Sequence, residues 1–209
     1  MVGLSGWSLR KERKMINRHI RKKLRVSGEV PPYVGYGPSS RELILPSLFN
    51  ELGYKVGAEI GVQKAIFSKI LFEGIPDLKL YCVDPWVPYR NMPSERQQDR
   101  CLRIAISSLA SYNAVFIRKT SHDALEDIPD GSLDFVYIDG LHDFDNVMFD
   151  IIEWSKKVRS GGIVSGHDFF FYHNIGVVYA VEAYVKAHGI TQWYITKEYP
   201  NSFFFVKTW

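Results

Sequence analysis

The stretch LDFVYIDGLHDFDNVMFDIIEWSKKVRSGGIVSGHD, residues 133–168, decides the fold class. It begins with an apolar run at 133–138, continues with helical spacing at 145–158 and returns to an apolar run at 162–165. Two short apolar runs joined by an amphipathic helix are typical of parallel strands that are covered on both faces. These residues therefore predict an α/β protein.

The same alternation continues on both sides of this stretch. The sequence predicts further strands at 56–62, 78–83, 114–118, 193–196 and 202–207, and further helices at 41–52, 65–72, 96–111, 124–128 and 175–186. Only a tight turn at 198–201 separates the last two strands, so the last strand must run antiparallel to its neighbour. We therefore expect a Rossmann-like, doubly wound sheet of seven strands, mostly parallel with an antiparallel last strand.

Polar residues stand just after five of the predicted strands. In an open α/β sheet, ligands bind outside the carboxyl ends of the strands. Turn residues such as Asp and Gly are expected there in any case, but an Asp-Gly-x-His motif and a His-Asp motif facing one crevice are not. The sequence thus predicts a functional site at this edge, and its candidate residues are Glu59, Gly61, Asp84, Ser121, Asp139, His142, His167 and Asp168.

The charge of the chain is unevenly distributed. Residues 1–26 hold nine of the 26 Lys and Arg residues and one of the 23 acids, which leaves this arm at +8 and the remainder at −5. A Pro- and Gly-containing stretch at 30–40 reads as a linker. The sequence therefore predicts a basic arm with linker at 1–40 and one domain at 41–209.

Two interpretations of the basic arm stay open. A block of like charges is usually solvated, and some such blocks contact polyanions such as nucleic acid; residues 10–25 would make that contact. Alternatively, the arm forms a helix that docks on the domain or on a second subunit, which leaves an oligomer open. The apolar positions that would dock are Leu9, Met15, Ile16, Ile20 and Leu24.

Several classes of protein are disfavoured by what the sequence lacks. It has no apolar run of the roughly 18 residues that a membrane-spanning helix needs, and its basic N-terminus lacks the apolar stretch of a secretory signal. Cys82 and Cys101 have no metal-ligand or disulfide spacing, and Cys82 lies in an apolar run typical of a buried thiol. We expect a cytoplasmic protein without a membrane span.

Four motifs together resemble a known family. They are GAEIGVQKAIFSKIL (57–71), YCVDPW (81–86), DFVYIDGLHDFDNVMFDI (134–151) and GGIVSGHDF (161–169). In this order the chain, from about 43 to 207, resembles class I S-adenosylmethionine-dependent methyltransferases. It is most similar to methyltransferase family 24 and related small-molecule O-methyltransferases. The resemblance implies S-adenosylmethionine as cofactor and a small hydroxylated acceptor, such as a glycan, a sugar or a natural product.

The resemblance also assigns cofactor contacts. At Gly61 the absence of a Cβ lets the backbone approach the cofactor, and the Asp84 carboxylate can accept hydrogen bonds from both ribose hydroxyls. The resemblance puts Ser121 and His122 near the adenine, although an N-cap of the next short helix explains them nearly as well. The complete cofactor-binding set that it implies is Glu59, Gly61, Asp84, Ser121, His122 and Asp139.

The resemblance further implies a divalent metal, Mg²⁺ or Mn²⁺, held by Asp139, His167 and Asp168. Mg²⁺ prefers oxygen donors, so the imidazole of His167 fits Mn²⁺ or iron better, or supports a ligand without touching the metal. With Asp139, His142 is then the candidate catalytic residue, as a general base that titrates near neutral pH. Catalysis by His142 without a metal stays open.

One position departs from the family pattern. Relatives usually have a second glycine about where this chain has Ala65, which we expect to weaken cofactor binding at most. The main alternative is a catalytically weak or inactive module that binds nucleic acid through its basic arm. A nicotinamide dehydrogenase would need G-x-G-x-x-G after the first strand, and EIGVQKA does not supply it.

Overall fold

An eight-stranded sheet forms the centre of the computed structural model, which describes residues 6–26, 30–35, 40–89, 94–173 and 175–209, with side chains from residue 10 onward. The strands are β1 (Tyr33–Val34), β2 (Val56–Ile60), β3 (Lys79–Val83), β4 (Asn113–Ile117), β5 (Leu133–Ile138), β6 (Val158–Gly166), β7 (Trp193–Ile195) and β8 (Phe203–Val206). The helices are α1 (Gly6–Lys23), α2 (Arg41–Glu51), α3 (Ile66–Gly74), α4 (Glu95–Ser108), α5 (Phe144–Lys157) and α6 (Val177–Ala187), with a 3-10 helix at Asp123–Asp127.

The strands lie in the order β1-β7-β8-β6-β5-β2-β3-β4, and β8 runs antiparallel to both of its neighbours. The predicted α/β fold, with its mostly parallel sheet and antiparallel last strand, is confirmed. The predicted strand count of seven is one short. The additional strand is β1, which pairs in parallel with β7 through Tyr33 and Tyr194. A two-residue strand is too short for any periodicity, and it lies in the segment that the sequence indicates as a linker.

Helices cover both faces of the sheet. α1 to α4 pack on one face and α5 and α6 on the other, each over its own apolar core. Successive strand residues point to opposite faces, so in β5 Phe135 and Tyr137 join the first core while Val136 and Ile138 join the second. Burial on both faces explains why β5 is apolar nearly throughout.

The basic arm contains a docked helix. Ile16 and Ile20 of α1 and Leu24, which directly follows it, are buried in the first core. The Tyr194 hydroxyl donates a hydrogen bond to Oδ1 of Asn17 at 2.8 Å. Lys23 donates to Oγ of Ser47 at 2.7 Å. Of the two interpretations of the arm, the structure shows the docked helix, and it is docked on its own domain.

Among the described helices, none is long and apolar enough to cross a bilayer.

We expect Ile20→Ala to destabilise the protein by about 2–4 kcal/mol, because the side chain is fully buried and its loss leaves a cavity. Met15 lies on the same helix but is 58% exposed, so its predicted docking is wrong. Met15→Ala should therefore change the free energy of unfolding by less than about 0.5 kcal/mol. Urea denaturation of both variants measures the difference. Equal stability of the two variants would contradict the docked helix.

The direction in which the chain winds reverses at β2, which lies between β3 and β5. The crevice at such a point is where open α/β sheets bind ligands. Gly61 follows β2 with φ +89°, and a Cβ there would collide with the carbonyl of Asp139 at the end of β5. The neighbouring backbone therefore requires glycine at position 61, whether or not a ligand binds nearby.

Candidate active site

Two aspartates and two histidines meet at the carboxyl ends of β5 and β6. Nε2 of His142 lies 3.1 Å from Oδ2 of Asp168 and 3.5 Å from Oδ1 of Asp139. Nδ1 of His167 lies 3.4 Å from Oδ1 of Asp168 and 3.7 Å from Oδ2 of Asp139. The structure thus brings together the four residues that the sequence singles out after these two strands.

Strand register and a helix cap explain this convergence. Ile138 and Gly166 are register partners in the parallel pair of β5 and β6, so the residues that follow them emerge side by side. The backbone N–H of His167 donates to the carbonyl of Ile138 at 2.9 Å, which continues the pairing by one residue. Asp143 caps α5 by accepting from the N–H of Asn146, which holds the turn that carries His142.

The pKa values of Asp139 and His142 are shifted by their surroundings in this cluster. Burial alone would raise the pKa of Asp139, but the imidazoles of His142 and His167 and the charge of Arg41 hold it well below its usual range. Burial alone would lower the pKa of His142, but Asp139 and Asp168 raise it above the usual value. At neutral pH the cluster therefore keeps Asp139 as a carboxylate, able to bind a cation.

Arg41 is a member of this site that the sequence analysis missed. It is the first residue of α2, and its Nη1 donates to the Tyr137 hydroxyl at 2.8 Å and lies 3.4 Å from Oδ2 of Asp139. Its guanidinium also lies over the ring of Phe67, 5.0 Å from the centroid. An arginine at a helix start, 98 positions before its carboxylate partner, carries no local signal in the sequence.

Asp84 clamps the turn that follows β2. Its Oδ2 accepts hydrogen bonds from the N–H groups of Val62 and Gln63, at 3.0 and 2.9 Å, and its Oδ1 accepts from the N–H of Trp86 at 2.7 Å. Trp86 is buried and donates from Nε1 to the carbonyl of Gln63. A carboxylate offers about four acceptor positions, so Asp84 retains capacity for a ligand hydroxyl beyond these three bonds.

Glu59 lies inside the fold. Only 2% of the residue is exposed, and its carboxyl accepts a hydrogen bond from the hydroxyl of Ser68 on α3. Burial raises its pKa to about 8, so this carboxyl is largely protonated at neutral pH. It ties β2 to α3 and has almost no surface to offer a ligand.

Ser121 and His122 are not part of the histidine and aspartate cluster. The Ser121 hydroxyl donates to the carboxylate of Asp150 and accepts from Nε1 of Trp154 at 2.7 Å. Burial raises the pKa of Asp150 to about 6. The side chain of His122 is 74% exposed, and its ring centroid lies 5.2 Å from that of Phe149. Their predicted contact with adenine stays a prediction.

Ala65 stands at the N-cap of α3 in the left-handed conformation, with φ 59° and ψ 34°. This conformation costs a residue with a Cβ about 1–2 kcal/mol, and glycine adopts it without strain. The position therefore favours the glycine that relatives usually have. The sequence predicts a helix that begins at residue 65, and the structure corrects this start, because Ala65 is left-handed and α3 begins at Ile66.

Comparison with known proteins agrees with this architecture. A family model described as a methyltransferase domain, that of methyltransferase family 24, matches residues 58–169. An uncharacterized protein from Sinorhizobium fredii is 25% identical over 126 residues, which cover 54% of this chain. The chain spans only 12% of the length of that curated relative.

Three solved structures share the fold at low identity. A Staphylococcus aureus protein provisionally described as a caffeoyl-CoA O-methyltransferase has a TM-score of 0.62 at 15% identity, covering 92% of this chain and 91% of its own. An O-methyltransferase from Bacillus cereus has a TM-score of 0.59 at 17% identity, with coverages of 94% and 91%. The O-methyltransferase TomG from Streptomyces achromogenes has a TM-score of 0.57 at 15% identity, with coverages of 98% and 91%.

The family model covers more than half of the chain, and the part that it matches runs from β2 through the residues that follow β6. That segment contains the clamped turn after β2 and the whole histidine and aspartate cluster. The chain belongs to methyltransferase family 24, a family of class I methyltransferases.

Proposed function

We propose that this protein is an S-adenosylmethionine-dependent O-methyltransferase that acts on a small hydroxylated acceptor with the help of a divalent metal. The observation that carries the proposal is the meeting of Asp139, His142 and Asp168 at the carboxyl ends of β5 and β6, beside the point where the winding of the sheet reverses. One ligand atom from each of the three lies within 4.8 Å of the others. Family membership and the clamped turn beside this cluster support the same function.

The turn after β2 suits the cofactor that we propose. The first N–H groups of a helix lack partners within the helix, and α3 begins directly after this turn. Asp84 has acceptor positions left for the ribose hydroxyls. Ser121, His122 and Gly61 belong to our proposed contact set as well, whereas Glu59 would act through α3. When bound, S-adenosylmethionine supplies an electrophilic methyl group.

Calorimetry with S-adenosylhomocysteine tests the proposal directly. We expect the wild type to bind it and Asp84→Ala to bind with about 1.5–3 kcal/mol less free energy, because charge-assisted hydrogen bonds are lost. Asp84→Asn is the matched control, since it keeps one oxygen and the shape of the side chain. An absence of binding by the wild type, with retained binding of a short RNA, would instead support the inactive nucleic-acid-binding module.

The donor set suits a divalent cation. Nε2 of His142 is buried and makes no hydrogen bond, although carboxylate oxygens of Asp168 and Asp139 lie within 3.5 Å of it. Two carboxylates with one imidazole favour Mn²⁺ or iron over Mg²⁺, which prefers oxygen ligands throughout. A cation held there would supply Lewis acidity that lowers the pKa of the acceptor hydroxyl.

Other residues of the chain hold these groups in position. Arg41 and His167 contact the Oδ2 side of Asp139, which leaves Oδ1 on the side of His142. In an alternative assignment, which the sequence alone favoured, His167 is the third ligand and His142 is the general base. The two assignments differ in which imidazole the metal needs.

The chain that follows Asp168 is rich in aromatic residues, some of them exposed. Phe170 follows Asp168 closely, and its ring meets that of Tyr199 edge to face, with the centroids 5.2 Å apart. Phe171, 69% exposed, makes a similar contact with Tyr179. Aromatic faces stack on sugar rings and on flat aromatic molecules. We therefore propose an acceptor that presents such a face beside its hydroxyl group.

A further inference from the structure

A cavity of about 470 Å³ lies between α1 and the turn that joins α6 to β7. Residues of α1 form one wall, and 189–192 together with Thr208 form the other. Residues 189–192 lead into β7, which is parallel to β6, and Thr208 follows the antiparallel β8. The cavity is therefore at the amino-terminal edge of the parallel strands, opposite the crevice that holds Asp139.

The cavity is strongly basic. Four of its lining side chains are Arg13, Lys14, Arg18 and Arg21, and its described lining contains no carboxylate. Uncharged residues complete the lining, among them Gln192, Thr191 and Ile190 of the turn. Four positive charges around one concave space make a local field that attracts an anion.

The basic wall is held in a fixed position. Asn17 donates from Nδ2 to the carbonyl of Arg13 at 3.0 Å and accepts from the Tyr194 hydroxyl at 2.8 Å. The guanidinium of Arg21 lies 4.1 Å above the ring of Tyr33. The hydrogen bond from Tyr194 to Asn17 joins β7 to α1, so the two walls keep their spacing before any ligand arrives. A site that is already in position loses less entropy on binding.

We propose that this cavity binds a multiply charged phosphate group carried by a small phosphorylated ligand. Arginine presents planar, paired N–H donors that match phosphate oxygens, and lysine adds a point charge. The concave shape with two distinct walls favours a compact anion over a nucleic-acid strand, which would need contacts along the whole length of α1. This inference does not depend on the methyltransferase proposal, because no residue of the cavity belongs to the crevice.

Calorimetry with inorganic tripolyphosphate tests the site. The double variant Lys14→Gln/Arg18→Gln removes two charges from the cavity, and Lys22→Gln/Arg25→Gln removes a lysine and an arginine from the same segment outside it; all four residues are exposed. We expect the first pair to weaken binding at least about tenfold and the control pair less than about twofold, since charge-assisted contacts are local. Gln192→Glu, which places a carboxylate on the other wall, should weaken binding as well.

Three results would overturn the site. In the first, the wild type would fail to bind tripolyphosphate. In the second, both double variants would lose the same affinity, and the binding would then belong to the general charge of α1. In the third, single-stranded RNA would bind the wild type and lose affinity equally in both double variants, while tripolyphosphate would not bind. That pattern would make α1 a nucleic-acid surface.

Discussion

Asp168→Asn is expected to lower the rate of methyl transfer by about 10³-fold or more while the fold is retained, because a metal that stabilises charge contributes several kcal/mol to catalysis. The substitution keeps the shape of the side chain but removes the negative charge that faces His142. Asp168 has φ 54°, and asparagine adopts this left-handed conformation as readily as aspartate, so the backbone should not resist the change.

Two measurements check this expectation separately from turnover. Mn²⁺ titration followed by electron paramagnetic resonance should show lost metal binding, and thermal melting should show a retained transition. Asp145→Asn, an exposed change in the first turn of α5, is the matched control and should keep both metal and activity. Full activity of the wild type in excess chelator would exclude the metal and leave His142 as the catalytic candidate.

His142→Ala and His167→Ala are expected to separate the two assignments of the metal site. If His142 is a ligand, its removal should weaken Mn²⁺ binding by about 100-fold or more, whereas loss of the supporting His167 should weaken it by about 10–100-fold. If His142 is instead the general base, His142→Ala should keep the metal and lower turnover by about 10²–10⁴-fold. His188→Ala, an exposed substitution at the C-terminal end of α6, serves as control.

Measuring metal affinity against pH distinguishes a ligand role of His142 from a purely structural role. An imidazole must be neutral to bind a metal, and the neighbouring carboxylates raise the pKa of His142. Apparent Mn²⁺ affinity of the wild type should therefore rise with pH through the titration of His142, and this rise should be absent from His142→Ala. The same rise in that variant would contradict the assignment of His142 as a ligand.

The sequence predicted the fold well where periodicity is strong. The strand at 133–138 has the predicted bounds, and the helix that follows differs by one residue at each end, since an apolar run and an amphipathic helix leave clear patterns. β6 begins at Val158, directly after α5, and so extends four residues before the predicted start. A strand that follows a helix without a turn gives no boundary signal in the sequence.

Site residues on strand ends could be predicted, because topology alone brings those ends together. Contacts that depend on three-dimensional packing could not. Arg41 contacts Asp139 from a helix on one face of the sheet, and Asp84 accepts three hydrogen bonds from the adjoining backbone. An alanine in the sequence also does not indicate that position 65 adopts the left-handed conformation. Each of these depends on where the backbone runs.

The docking of α1 on the far end of the chain constrains the order of events during synthesis. Asn17 leaves the ribosome well before the strands on which α1 packs, β6 and β8, and before Tyr194 of β7, whose hydrogen bond to Asn17 joins positions 177 apart. Such distant contacts form slowly because a long loop must close first. Until β6 and β8 emerge, the apolar side of α1 lacks the strands on which it packs. During translation this helix is therefore an exposed amphipathic segment that is open to chaperones.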